Sequence, residues 1–151
     1  ASTFVETVDC PPIVEQSRSF LEAIDYYGLV EMEYKRDPLD HEFKLLDANA
    51  RTWGYHSLGP AAGVDFPSLL MRDQLGQPVE RVSARSGVRW IRLVTDIPNA
   101  VVDLRNGRIR ALDYLRSLRG IDVESVFSWR DPAPGLYEVG LLPYLLVKRG
   151  L

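Results

Sequence analysis

The clearest pattern along the chain is the alternation Leu29-Val30-Glu31-Met32-Glu33-Tyr34-Lys35. Val30, Met32 and Tyr34 point one way and Glu31, Glu33 and Lys35 the other, as period 2 requires of a half-buried strand. Arg36 to Glu42 is rich in turn formers, and a second strand runs from Phe43 to Asn49. Together these predict an antiparallel hairpin. Upstream, Ala1 to Val8 is strand-like, which suggests a chain that opens in mid-strand. Pro11 and Pro12 then punctuate a helix start. Ile13, Phe20, Leu21, Ile24 and Tyr27 recur at helical spacing, and Gly28 is the expected stop.

Downstream, Gly54, Gly59, Pro60 and Gly63 break regular structure. Asp65 is placed to cap a helix from Phe66 to Leu75, with Pro67 in its first turn and Gly76 ending it. Val79 to Arg85 fits neither period. Val88 to Val94 reads as a strand, and Ile97 to Leu118 as a helical region interrupted near Asn106-Gly107. Asp131 to Gly135 reads as a loop, and Tyr137 to Val147 as a helix despite Gly140 and Pro143. The expected fold class is α+β: one domain, an antiparallel sheet flanked by helices.

Composition adds bounds rather than a function. The 151 residues are 46% apolar and 26% charged, a globular balance. A net charge of −3 gives no basic field for nucleic acid. No apolar run reaches the length of a membrane span, and the opening residues lack the basic and apolar regions expected of a signal peptide. Cys10 is the single cysteine, so no intrachain disulfide forms, and a cytoplasmic setting is expected. Of the 18 basic residues only Lys35, Lys44 and Lys148 are lysines. Arginine suits bidentate carboxylate and phosphate contacts, although a genome-wide bias gives the same count.

The candidate chemistry lies on the hairpin. Asp47 and Asn49 are two apart, so both leave one face of their strand. A carboxylate and an amide oxygen are hard donors that suit Mg²⁺ or Mn²⁺. Arg51 continues the alternation and can hold a phosphate bidentately. With a turn centred on Asp40, facing residue numbers sum to about 80, which sets Glu33 opposite Asp47. Two facing carboxylates, roughly 5 Å apart at Cβ, repel unless a cation lies between them. The competing reading is a solvated strand face on which Lys35 and Lys44 neutralise the acids.

Glu31-Met32-Glu33-Tyr34-Lys35-Arg36-Asp37, followed by Lys44-Leu45-Leu46-Asp47-Ala48-Asn49-Ala50-Arg51-Thr52-Trp53-Gly54, resembles the second half of an ATP-grasp domain. The resemblance is narrowest to the carboxylate–amine ligase group, near D-aspartate ligase-like proteins and related to the carbamoyl-phosphate synthetase large subunit. It is strong over Gly28 to Gly76, about a third of the chain, and looser over Trp90 to Pro134. It implies that Glu33, Asp47 and Asn49 hold Mg²⁺ (or Mn²⁺) against the phosphates of ATP. It also implies that Arg51 contacts phosphate or acyl phosphate as the catalytic cation. Asp at 47 where Glu is commoner shortens that arm, and Ala at 50 replaces the commoner Pro.

The implied reaction joins a carboxylate to an amine through an acyl phosphate. The Gly-rich loop and phosphate lysines of such enzymes belong to an N-terminal lobe that this sequence lacks. The expectations are therefore a C-terminal lobe inactive alone and an exposed apolar face through which the chain dimerises or pairs edge strands. The alternative is a non-catalytic subunit or interaction module. Trp53, Tyr55 and His56 are candidate pocket residues. His56 reads as a proton carrier or, more simply, a packed or hydrogen-bonded histidine, and His41 as an exposed turn residue. Trp90 and Trp129 read as core or interface, and Arg108, Arg110, Arg116 and Arg119 as a solvated helix face.

Overall fold

A computed structural model describes residues 2–149. The chain is α+β, and its contacts divide it into two compact units. One comprises residues 7–86, the other residues 1–6 with 87–151. Among the described residues no helix is long and apolar enough to cross a membrane.

In the first unit, α1 (Pro11–Ala23) starts on the proline pair and packs beside a hairpin of β2 (Glu31–Arg36) and β3 (Phe43–Asn49). Ser17 Oγ lies 3.0 Å from Tyr34 Oη, so α1 covers the Tyr34 face. α1 stops before the expected Gly28. Asp25 takes a left-handed φ of 50°, and the Tyr26 and Asp25 amides return to the Leu21 and Glu22 carbonyls. This is a Schellman closure with Asp in the glycine position, tolerated because a short polar side chain costs little there.

The hairpin turn is held by its own acids. Asp37 Oδ1 accepts the Leu39 amide and Asp40 Oδ1 the Glu42 amide. The second oxygen of Asp40 pairs with Lys44 Nζ at 2.7 Å, which holds the Asp40 carboxyl below its ordinary range. Facing residue numbers sum to 79 from Arg36↔Phe43 to Tyr34↔Leu45, then to 80 from Glu33↔Asp47 to Glu31↔Asn49. The step marks a β-bulge at Leu46.

Two short helices complete this unit. α2 (Leu58–Ala62) falls in the stretch expected to be irregular, and its buried Leu58 and Ala62 join Val64 in the core. Gly59 permits this turn, since a Cβ there would run into the Val64 carbonyl and the Phe66 ring. α3 (Phe66–Gln74) begins as expected, with Asp65 accepting the Ser68 amide at 3.0 Å. Gly76 ends it at φ 66°.

The second unit carries a three-stranded sheet in the order β1 (Phe4–Glu6), β4 (Arg89–Ile91), β5 (Val123–Glu124). β1 is antiparallel to β4, but β5 is parallel to it, which corrects the expectation of an antiparallel sheet. The reason lies in the connection: β4 reaches β5 through α4 (Leu93–Arg105) and α5 (Ala111–Ser117), a crossover long enough for parallel pairing. Central β4 buries Trp90 and Ile91 to 2% and 3% exposure. Trp129 is instead 90% exposed, touching Phe127 edge-on, so it is no core residue.

The strand expected through Val94 ends at Ile91, and α4 begins four residues before the expected Ile97. Glu124 causes this early start. Its carboxylate accepts the Leu93 amide at 3.2 Å, supplying a cap from a distant strand. α4 stops at Arg105 ahead of Asn106-Gly107, as the sequence suggests. The C-terminal apolar stretch forms two helices, α6 (Ala133–Gly140) and α7 (Leu142–Arg149), so the proline-rich segment starts a helix rather than remaining a loop.

Candidate metal centre

The bulge decides which residues share a face. Counting by twos from Phe43 passes through Leu45 to Asp47 and Asn49, so an unbroken strand would set Asp47 and Asn49 beside the apolar residues. Leu46 absorbs one extra position. Phe43 and Leu45 stay on the Tyr34 face, while Asp47 and Asn49 move to the face of Glu33 and Glu31. A one-residue slip flips every side chain, and here the flip is built into one strand.

On the resulting face Glu33 and Asp47 are direct partners, as are Glu31 and Asn49. The Asn49 amide lies between the two acids of the first pair. Its Nδ2 donates to Asp47 Oδ2 at 3.1 Å and, more loosely, to Glu33 Oε1 at 3.4 Å. Its Oδ1 accepts from Arg51 Nη2 at 3.3 Å. All four residues singled out in the sequence therefore form one connected group. Arg51 reaches it differently from expectation, because β3 ends at Asn49 and the chain bends. The Arg51 amide folds back on the Asn49 carbonyl at 2.8 Å, and the guanidinium returns to the same residue.

The donor set suits a hard divalent cation: two carboxylates and one amide, all on the exposed side of the hairpin. Among the described residues no three His, Cys, Asp or Glu side chains converge as a metal cluster. The carboxylate pair thus needs the Asn49 oxygen and ligands from outside the chain to fill an octahedral shell. Asn49 now presents its NH₂ to the acids. A half-turn about its terminal torsion, which has two-fold character, would present Oδ1 in its place. Lys44, one of the two lysines able to neutralise this face, is committed to Asp40 in the turn. Lys35 stands opposite Lys44, one step nearer the turn than the acids.

Beside this group lies Tyr55, one of the candidate pocket residues, in a pairing with Glu31 that the sequence pattern did not anticipate. Tyr55 Oη donates to Glu31 Oε1 at 2.9 Å. Burial first, and then this hydrogen bond, push the Tyr55 hydroxyl well above the ordinary tyrosine range. The available signal was the alternation of Trp53 and Tyr55 after the strand, which marks an ordered aromatic segment. Trp53 packs on Tyr55 at 6.1 Å between ring centres and edge-on against Phe66 at 4.8 Å. His56 is exposed, and its Nδ1 donates to the Trp53 carbonyl at 3.0 Å. His41 is an exposed turn residue at φ 62°.

Remaining candidates have local explanations. Arg108, in the connection between α4 and α5 rather than on a helix, pairs with Asp103, and Arg110 at the N-cap of α5 and Arg116 within it both pair with Asp113, all of them exposed. Cys10 occupies the N-cap of α1. No family model, no curated protein and no solved structure matches the chain.

Proposed function

We propose that this chain is the metal- and nucleotide-binding C-terminal lobe of an ATP-grasp ligase, one that joins a carboxylate to an amine through an acyl phosphate. The observation that supports it is the hairpin face on which Glu33, Asp47, Asn49 and Arg51 are linked side chain to side chain. Glu33, Asp47 and, once its amide is flipped, the Asn49 oxygen would hold Mg²⁺ or Mn²⁺ there, and the cation would neutralise charge on the phosphates of ATP. Arg51 supplies the fixed positive charge beside them. Its guanidinium can take two phosphate oxygens at once and stabilise the charge that develops during phosphoryl transfer. The acyl phosphate is then open to the amine, with inorganic phosphate as leaving group. The lobe holds only part of the nucleotide clamp, so the chain alone is inactive as a ligase.

Calorimetry of Mn²⁺ binding by the full chain, with and without ATP, tests this reading. Weak binding that tightens with ATP and falls in Asp47→Asn and Glu33→Gln is expected. Mn²⁺ binding indifferent to both substitutions would remove the site. The reading as a non-catalytic interaction module would then gain, since α6 exposes Leu136, Tyr137 and Val139 to 66%, 71% and 57%.

A further inference from the structure

A cleft of about 220 Å³ lies in the same compact unit as the acidic face, between the loop after α1 and helix α3. Its walls are apolar: Leu29, Phe66, Leu69, Leu70 and Val79. Its polar rim is Tyr27 and Asp73, whose hydroxyl and carboxylate are hydrogen-bonded to each other. None of its described lining residues is Lys, Arg or His. The nearby Arg72 guanidinium is turned to the Pro78 carbonyl at 2.6 Å.

This loop is held in shape. Asp25 and Gly28 both take positive φ, at 50° and 132°, and Tyr26 Oη donates to the Leu29 carbonyl at 2.8 Å. Tyr27 is thereby carried over to Asp73, 46 residues away. Asp73 accepts Tyr27 at Oδ1 and Gln74 Nε2 at Oδ2, the latter at a long 3.4 Å. A carboxylate has about four lone-pair sites, so it retains acceptor capacity toward a ligand.

We infer that this cleft binds a primary ammonium carried on a compact apolar group, with the ammonium on Asp73 and the apolar body between Phe66, Leu69 and Leu70. In the ligase proposed above, and resting on that reading, it is the site of the amine substrate. Charge selects this substrate over the other two. ATP and the carboxylate are anions, and the rim offers them a carboxylate and no cation. The aromatic rings of Tyr27 and Phe66 favour a cation further. Placement agrees with the role. Leu29 in the cleft wall is two residues before Glu31, roughly 7 Å of extended chain. Phe66 in the opposite wall packs on Trp53, which touches Tyr55, the donor to Glu31.

The test is a titration of the full chain with benzylamine, and separately with uncharged benzyl alcohol of the same shape. It is followed by amide chemical shifts at Leu69, Leu70 and Asp73 without metal or nucleotide. Saturable shifts with benzylamine are expected, with benzyl alcohol weaker by about tenfold. Asp73→Asn, which keeps an oxygen for Tyr27, should bring benzylamine down to the level of the alcohol. Equal responses to the two probes, an unchanged response in Asp73→Asn, or no shift at these amides would overturn the inference. Mn²⁺ broadening of the Asp47 and Asn49 amides, after Mn²⁺ and ATP are added to the same sample, reports the cation face separately. Amine binding without that broadening would leave the cleft standing and count against the ligase reading. Broadening without an amine response would sink the cleft alone.

Discussion

Glu33 and Asp47 face each other across the hairpin although alternation counted forward from Phe43 would put Asp47 on the far side. Leu46, 63% exposed, is the residue that resolves the conflict, by bulging out of the ladder. Deleting Leu46 therefore should not separate the pair. Asp47 would take the place opposite Glu33 in the register that already holds from Phe43 to Leu45. Cross-strand nuclear Overhauser effects should show the pairing kept and the ladder regular. Effects placing Asp47 opposite Met32 would refute the bulge as the device that sets this face.

The facing acids should cost stability when no cation is present. Asp47→Asn is expected to stabilise the unit of residues 7–86 by a few tenths to about 1 kcal/mol in chelator. The same substitution should abolish stabilisation by millimolar Mn²⁺ with ATP, since ligand binding to the native state adds to its stability. Urea denaturation under the two conditions gives both signs, and an Asp47→Asn protein less stable in chelator would contradict the argument.

Tyr55 and Tyr114 should ionise late. Burial, then a hydrogen bond to Asp96, push Tyr114 up to about 12, and Tyr55 is raised by burial and by Glu31. A raised folded-state pKa stabilises the native chain fully below the unfolded value near ~10. That contribution is lost as pH climbs through the folded value. Ultraviolet titration of the phenolates should show late-titrating tyrosines, with one fewer in Tyr55→Phe. Ionisation of all tyrosines together near pH ~10 in the folded protein would be inconsistent with these contacts.

Gly59→Ala tests the packing under the Trp53–Phe66 contact. The added methyl would meet backbone at the Val64 carbonyl, which cannot swing aside as a side chain can. A loss of about 1–3 kcal/mol is expected, with the Trp53 emission changing as Phe66 is displaced. A neutral effect would mean that the 59–64 turn is softer than its geometry implies.

Glu124 should make the other unit acid-sensitive. Burial raises the Glu124 pKa, but the amides of Phe127, Val126 and Leu93 and the Ser125 hydroxyl outweigh it and leave the carboxyl lowered. A depressed pKa gives stability that is present above the unfolded value near ~4.3. It is lost as pH falls through the folded value. Glu124→Gln should cost about 1–2 kcal/mol at neutral pH and flatten that acid limb. Hydrogen exchange at the first turn of α4 checks it, and unchanged protection of the Leu93 amide would count against the cap.

What the sequence determined by itself were the elements whose cause is local. β3 is found from Phe43 to Asn49 as expected, because strand residues lie between two turn-forming stretches. Asp65, Pro67 and Gly76 bound α3 within one residue, since a cap and a stop act on the nearest amides and carbonyls. The Glu33–Asp47 pairing is the one a count of 80 expects, but the turn itself sets a sum of 79, and only the bulge at Leu46 raises it to 80. Tertiary structure decided what depends on distant partners. The face of Asp47 required the Leu46 bulge, which period 2 cannot express. The early start of α4 required Glu124, 31 residues away, and β5 pairs in parallel with β4 only across two intervening helices. The pairing of Tyr55 with Glu31 and of Tyr27 with Asp73 arises the same way: a hydroxyl finds its carboxylate only once the chain has folded back on itself.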